Sequence, residues 1–136
     1  MANKLVTSSD LKSARKLEKF LLRKVARAGY GEKSVFAIKL ALEEGLNNAI
    51  KHGNRGDSSK KIEVGFDIDS SRACFTITDQ GSGFDLAGVP DPTADENLEK
   101  PSGRGIMLIK AYMDEVSYSG RGNSICMVKR NTSREQ

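Results

Sequence analysis

No run of about eighteen apolar residues occurs in this 136-residue chain, so no segment has the length and hydropathy of a membrane-crossing helix. The first residues, Met1 to Val6, lack the apolar block of an export signal, and the expected location is the cytoplasm. Metal-binding side chains are scarce. Cys74 and Cys126 lie far apart among strand-like residues, and His52 is the only histidine, so no zinc-ligand spacing exists and the thiols read as buried and structural. In a cytoplasmic chain, Asn131-Thr132-Ser133 is a chance match to a glycosylation sequon. Aromatics make up 6% of the residues, and none is placed to stack on bases. The GxxxxGK[ST] phosphate loop and the HRD and DFG strings are absent, which excludes two common ways of handling a nucleotide.

What is present suits one folded domain over residues 1–136. Hydrophobic residues at 38% supply a single core, and there is no repeat or low-complexity linker to mark a second one. The net charge of +4 is uneven: residues 1–33 carry nine Lys and Arg against three Asp and Glu, leaving the remainder slightly acidic. Because the basic residues alternate with an amphipathic stripe, they read as a solvated or protein-facing surface, with neither nucleic acid nor membrane as the expected partner.

Residues 4–7 predict a short strand, with Ser8, Ser9 and Asp10 as capping side chains for a helix. Leu11, Ala14, Leu17, Leu21, Val25 and Ala28 recur at helical spacing up to Gly29. A second helix is expected from Glu32 or Ser34 to Lys51, with Val35, Ile38, Leu42, Leu46 and Ala49 as its stripe and Gly53 as its stop. At about 100° per residue, Glu44, Asn48 and His52 then form a polar row pointing away from that stripe. Asn54–Lys60 reads as a polar turn region. Ile62, Val64, Phe66 and Ile68 alternate with Glu63, Gly65, Asp67 and Asp69, and Ala73, Phe75 and Ile77 follow across a Ser70-Ser71-Arg72 turn, which predicts a hairpin ending at Asp79. All three prolines fall in the acidic stretch 84–103, too long for an ordinary connection. Helical spacing resumes after Gly105 through Ile106, Ile109 and Met113, and strands are expected at about 115–119 and 124–130.

Three features occur in order: the row from Glu44 to Asn48, the loop Asp79-Gln80-Gly81-Ser82-Gly83, and Gly103-Arg104-Gly105 opening a helix. Together they resemble the N, G1 and G2 boxes of the Bergerat-type ATP-binding fold of gyrases, Hsp90, histidine kinases and MutL proteins. The strings Glu44-Gly45-Leu46-Asn47-Asn48-Ala49-Ile50-Lys51-His52-Gly53 and Met113-Asp114-Glu115-Val116 are similar to those of small bacterial anti-sigma factor serine-protein kinases, and the likeness runs from about residue 5 to 130. It implies an α/β two-layer sandwich, with a mainly antiparallel mixed sheet covered on one face by about three helices and a lid at about 85–102 over Mg-ATP.

The chemistry agrees with the resemblance. Magnesium keeps several waters and needs one or two protein oxygens beside the phosphates, and Asn48 can supply one. Glu44, one turn earlier, is placed to accept a hydroxyl proton during phosphoryl transfer. Glu43 and Asn47 share that spacing but point to the helix flank and lack the His-Gly continuation. Asp79 suits the adenine exocyclic amine, with Gly81 and Gly83 letting backbone approach the base. Gly103, Arg104 and Gly105 offer unpaired N–H groups and a charge for the phosphates, although the resemblance leads one to expect a bulky apolar residue in place of Arg104. Ser124 stands where the family often has a threonine near the adenine. His52 reads as a packing residue at the helix end. The implied partners are a sigma factor and a STAS-type anti-anti-sigma protein whose serine or threonine accepts the γ-phosphate, with a homodimer possible and the basic first helix as partner surface. A nucleotide-binding sequestering protein without phosphotransfer is the alternative.

Overall fold

The computed structural model describes residues 3–81, 103–119 and 123–131. Strand β1 (Asn3–Ser8) leads into α1 (Leu11–Arg27), whose N-cap is Asp10: its Oδ1 accepts from the Ser13 backbone N–H at 2.8 Å. The chain turns at Gly29 and enters α2 (Glu32–Asn48). Here sequence and structure part. The α-helix stops at Asn48 and a π turn, Ala49–Gly53, follows in place of ordinary helix to Lys51; the Asn54 N–H reaches back to the Ala49 carbonyl at 2.8 Å. Strands β2 (Lys61–Ile68) and β3 (Arg72–Asp79) form the expected hairpin; α3 (Gly103–Tyr112), β4 (Glu115–Ser119) and β5 (Ser124–Arg130) complete the fold. The lid expected at 85–102 lies outside the described residues.

The strand order is β1-β2-β3-β5-β4. Every pair among the described residues is antiparallel, in line with the mainly antiparallel sheet expected. Val64, Ile77 and Ile125 come from three neighbouring strands and, with Phe75 and Met127, form the buried sheet face against Leu21, Ile38, Leu42, Leu46 and Ile109 of the helices. The alternation in β2 and β3 sets which side chains enter this core.

Helix α2 is buried around more of its circumference than one stripe implies. Ala37, Ala41 and Gly45 are buried beside Ile38, Leu42 and Leu46. These small residues let the helix sit low on the sheet: a Cβ on Gly45 would stand 2.7 Å from Ile77 Cδ1. A glycine inside a helix costs about 1 kcal/mol of propensity, which close packing offsets. The row of Glu44, Asn48 and His52 is consequently half-buried, where the stripe alone predicts a row turned fully to solvent.

Candidate functional site

The end of the π turn and the end of β3 meet at close range. Gly53 lies against the Asp79 carboxylate and Gly81 lies against the Gly53 carbonyl, so closely that a Cβ at either glycine would overlap those atoms. The Asp79 Oδ1 accepts from the Gly81 N–H at 2.8 Å. Asp79 is also clasped from β5: its N–H donates to the Asn123 carbonyl at 3.0 Å, and Asn123 Nδ2 donates to its carbonyl at 3.1 Å. Burial pushes the Asp79 carboxyl up from its usual range, against the opposing pull of the Gly81 N–H and of Lys60.

This junction forms one end of a cavity. Its walls come from Gly45 and Asn48 at the end of α2, Ala49 of the π turn, Ile77 and Asp79 of β3, Ile109 of α3 and Tyr118 of β4, with Asn123, Ser124 and Ile125 at the start of β5. The cavity therefore joins a carboxylate, a carboxamide and an apolar floor, the materials for holding a flat polar ring by its edge. Burial pushes the Tyr118 phenol up to about 12, so its hydroxyl stays neutral at this wall.

The two candidate Glu-x-x-x-Asn pairs are separated by their surroundings. Asn47 Oδ1 accepts from Arg15 Nη2 at 3.2 Å, and Glu43 lies beside the buried Glu18. Arg15 also pairs with Glu18 at 3.0 Å. Burial first, and the Glu43 charge second, raise Glu18 from 4.5 to about 7 despite Arg15. Asn48 instead borders the cavity, with Glu44 half-exposed one turn before it. Glu44 itself is outside the ring of lining residues.

The structure thus brings Asn48, Asp79 and Ser124 to one cavity, with Gly81 at its edge. The Ser124 hydroxyl is 2.8 Å from Thr78 Oγ1, its cross-strand partner. Asn123, one residue before β5, lies opposite Asp79, and Asn123 and Tyr118 line the cavity although the sequence did not single them out; Asn123 sits one residue ahead of the strand start that the sequence pointed to. Gly103, Arg104 and Gly105 form the first residues of α3, so the helix begins three positions before the apolar periodicity does. Gly83 and the Arg104 side chain lie outside the described parts. Among the described residues no three His, Cys, Asp or Glu side chains gather as metal ligands. The donor set fits a hard cation held chiefly by phosphate and water, to which Asn48 would add one oxygen.

The profile of the histidine kinase-like ATPase domain matches residues 7–129. The chain belongs to that family. Within this ATPase family it is 34% identical over 112 residues to the serine-protein kinase RsbW of Staphylococcus epidermidis, covering 76% of this chain and 70% of the relative. It is 28% identical over 116 residues to the serine-protein kinase RsbW of Oceanobacillus iheyensis, covering 81% and 73%. These matches place this histidine kinase-like ATPase on the RsbW branch, and ATP is the nucleotide that such a domain uses. A crystal structure of the RsbU and RsbW domains of a Mycobacterium tuberculosis protein superposes with a TM-score of 0.62 at 16% identity, covering 96% of this chain and 32% of that one. This chain spans about a third of that protein, and the likeness is one of fold.

Proposed function

We propose that this protein is an ATP-dependent serine/threonine kinase that also acts as an anti-sigma factor, holding a sigma factor and phosphorylating a STAS-type antagonist. The observation that carries the reading is the meeting of Asn48 and Asp79 in one cavity, in a chain whose relatives are named serine-protein kinases. In this reading residues 1–136 are one domain working in the cytoplasm.

Asp79 accepts a hydrogen bond from the adenine amine, and its raised pKa suits an acceptor kept out of water. The Gly53–Gly81 contact fixes the carboxylate, while Gly81 brings main chain close to the base, the role that the resemblance also gives to Gly83. Ser124, which the resemblance places near the adenine, lines the same cavity as Asn123, and Asn123 adds a carboxamide bonded to the Asp79 carbonyl. The phosphates extend toward Gly103, Arg104 and Gly105, where α3 begins and free N–H groups and the helix dipole favour anions. Bound magnesium supplies charge neutralisation on the phosphates, with Asn48 as its protein ligand. Glu44 accepts the proton of the attacking hydroxyl as the new oxygen–phosphorus bond forms, the bond to the β,γ-bridging oxygen breaks and ADP departs. Its half-exposed place, just outside the cavity, suits a group that must meet a side chain brought by another protein.

The partner surface is the exposed basic face of α1, with Lys12, Lys16, Lys19, Arg23 and Lys24, and a homodimer is compatible with it. Sigma factor and antagonist both come to this protein through the resemblance, and neither nucleic acid nor membrane is a proposed partner.

The test is mass spectrometry of native-lysate proteins retained by the tagged chain with Mg-ATP or Mg-ADP. A retained STAS protein bearing a new phosphoserine or phosphothreonine, absent with Glu44→Gln, is the expected result. Retained partners that never acquire phosphate would establish the sequestering module in place of the kinase.

A further inference from the structure

The turn after α2 contains a residue whose burial contradicts its setting. Arg55 to Ser59 are exposed, yet Asn54 just before them is 0% exposed. A carboxamide is kept in such a place only if its donors and acceptor are satisfied. Asn54 Nδ2 donates to Ser9 Oγ at 3.0 Å and to the Lys61 carbonyl at 3.1 Å, and Oδ1 accepts from the Gln80 N–H at 2.8 Å. These partners belong to the segment before α1, the start of β2 and the residue immediately after Asp79. One side chain therefore ties together three segments, beside the strand pairing that already joins β1, β2 and β3.

Its bond to Gln80 falls at the point that decides where the Asp79 carboxylate sits. Gln80 lies between Asp79 and Gly81, whose N–H holds Asp79 Oδ1, while Gly53, the residue before Asn54, packs on the other side of that carboxylate. Gln80 is held a second time through its own side chain, whose Oε1 accepts from the Lys61 N–H at 2.6 Å. Rotation of the 79–81 segment is thus opposed from the Asn54 side by the hydrogen bond that the buried carboxamide accepts and from the Gly53 side by contact.

We infer that Asn54 is a positioning residue for base selection: it orients Asp79 toward the adenine edge without touching the nucleotide. The inference rests on the proposed role of Asp79. Asn54→Ala is expected to lower ATP affinity about tenfold, the scale of one misplaced buried hydrogen bond, while GTP affinity changes little, so the ATP-to-GTP preference collapses. Ser9→Ala removes the bond on the far side of the same carboxamide and leaves the one to Gln80; it is expected to lower stability and to keep the preference within about twofold of the unsubstituted protein. A purely structural Asn54 would lower stability in both variants and leave the preference alone.

The experiment is calorimetric titration of the unsubstituted chain and both variants with Mg-ATP and Mg-GTP. An unsubstituted chain with no ATP preference overturns the Asp79 reading and this inference with it, whereas a strong preference that survives Asn54→Ala overturns this inference alone. If Asn54→Ala does not fold, amide exchange on the unsubstituted protein decides. The Gln80 amide is expected to exchange about a hundredfold more slowly than the amides of Arg55–Ser59, and exchange at their rate overturns the inference.

Discussion

Glu43 and Asn47 have the same spacing as Glu44 and Asn48, one position earlier on the same helix, yet their surroundings divide them. A step of one residue turns a side chain by about 100°, enough to aim the first pair at α1 and bring Asn48 of the second to the cavity. There Asn47 is held by Arg15 and Glu43 shares a buried acidic site with Glu18. The difference teaches that a motif's spacing sets only its internal geometry. Its neighbours decide whether the pair is consumed by packing or left at a cavity.

Substitutions can break or sharpen that contrast. The largest effect is expected from Glu44→Gln, which should lower phosphotransfer by about a hundredfold or more while nucleotide binding persists; Glu43→Gln should transfer phosphate at the normal rate. A radiolabel transfer assay with the purified antagonist checks both, and equal losses would erase the distinction. Next, Asn48→Ala should remove the magnesium-dependent part of nucleotide affinity, a loss of about 1–3 kcal/mol, whereas Asn47→Ala should leave affinity unchanged. Titration with and without magnesium reads this directly.

Asp79→Asn should weaken ATP by about 1–3 kcal/mol and GTP far less, because only adenine offers an amine at that edge. Competition between the two nucleotides measures the ratio. The last test concerns stability alone, through Glu18, the buried acid of α1 that Glu43 faces. Glu18 holds its proton up to about pH 7 when folded but only to about 4.5 when unfolded. The folded state therefore binds more protons between these values, and stability falls as pH rises through that window, by on the order of 1–3 kcal/mol. Glu18→Gln should flatten that slope in urea denaturation and leave nucleotide affinity unchanged. A slope that persists would remove Glu18 as its source.

Much of the fold is legible where local chemistry acts alone. The alternation in β2 and β3, the cap at Asp10 and the strand bounds 115–119 and 124–130 follow from residue type and spacing. Departures begin where distant segments meet. The π turn at Ala49–Gly53 accompanies the contact of Gly53 with Asp79, which no helical periodicity encodes. The broad burial of α2 rests on Ala37, Ala41 and Gly45, too small to mark a hydrophobic stripe. Asn54 sits in a run of polar residues that looks like any surface turn, and only its partners in three other segments distinguish it. In the site, Asn48 and Asp79 were legible because family motifs carry them, while Asn123 required the register of β3 with β5.

The insertion of β5 between β3 and β4 has a consequence for synthesis. A nascent chain that has emerged only as far as residue 119 carries both segments of the Gly53–Asp79 junction, but β3 has no partner on its second edge and β4 has none at all. Phe75 and Ile77 then lack Met127 and Ile125 as neighbours. Until residues 124–130 pair, both β3 and β4 present open sheet edges, the state in which this fold is most exposed to pairing with another chain.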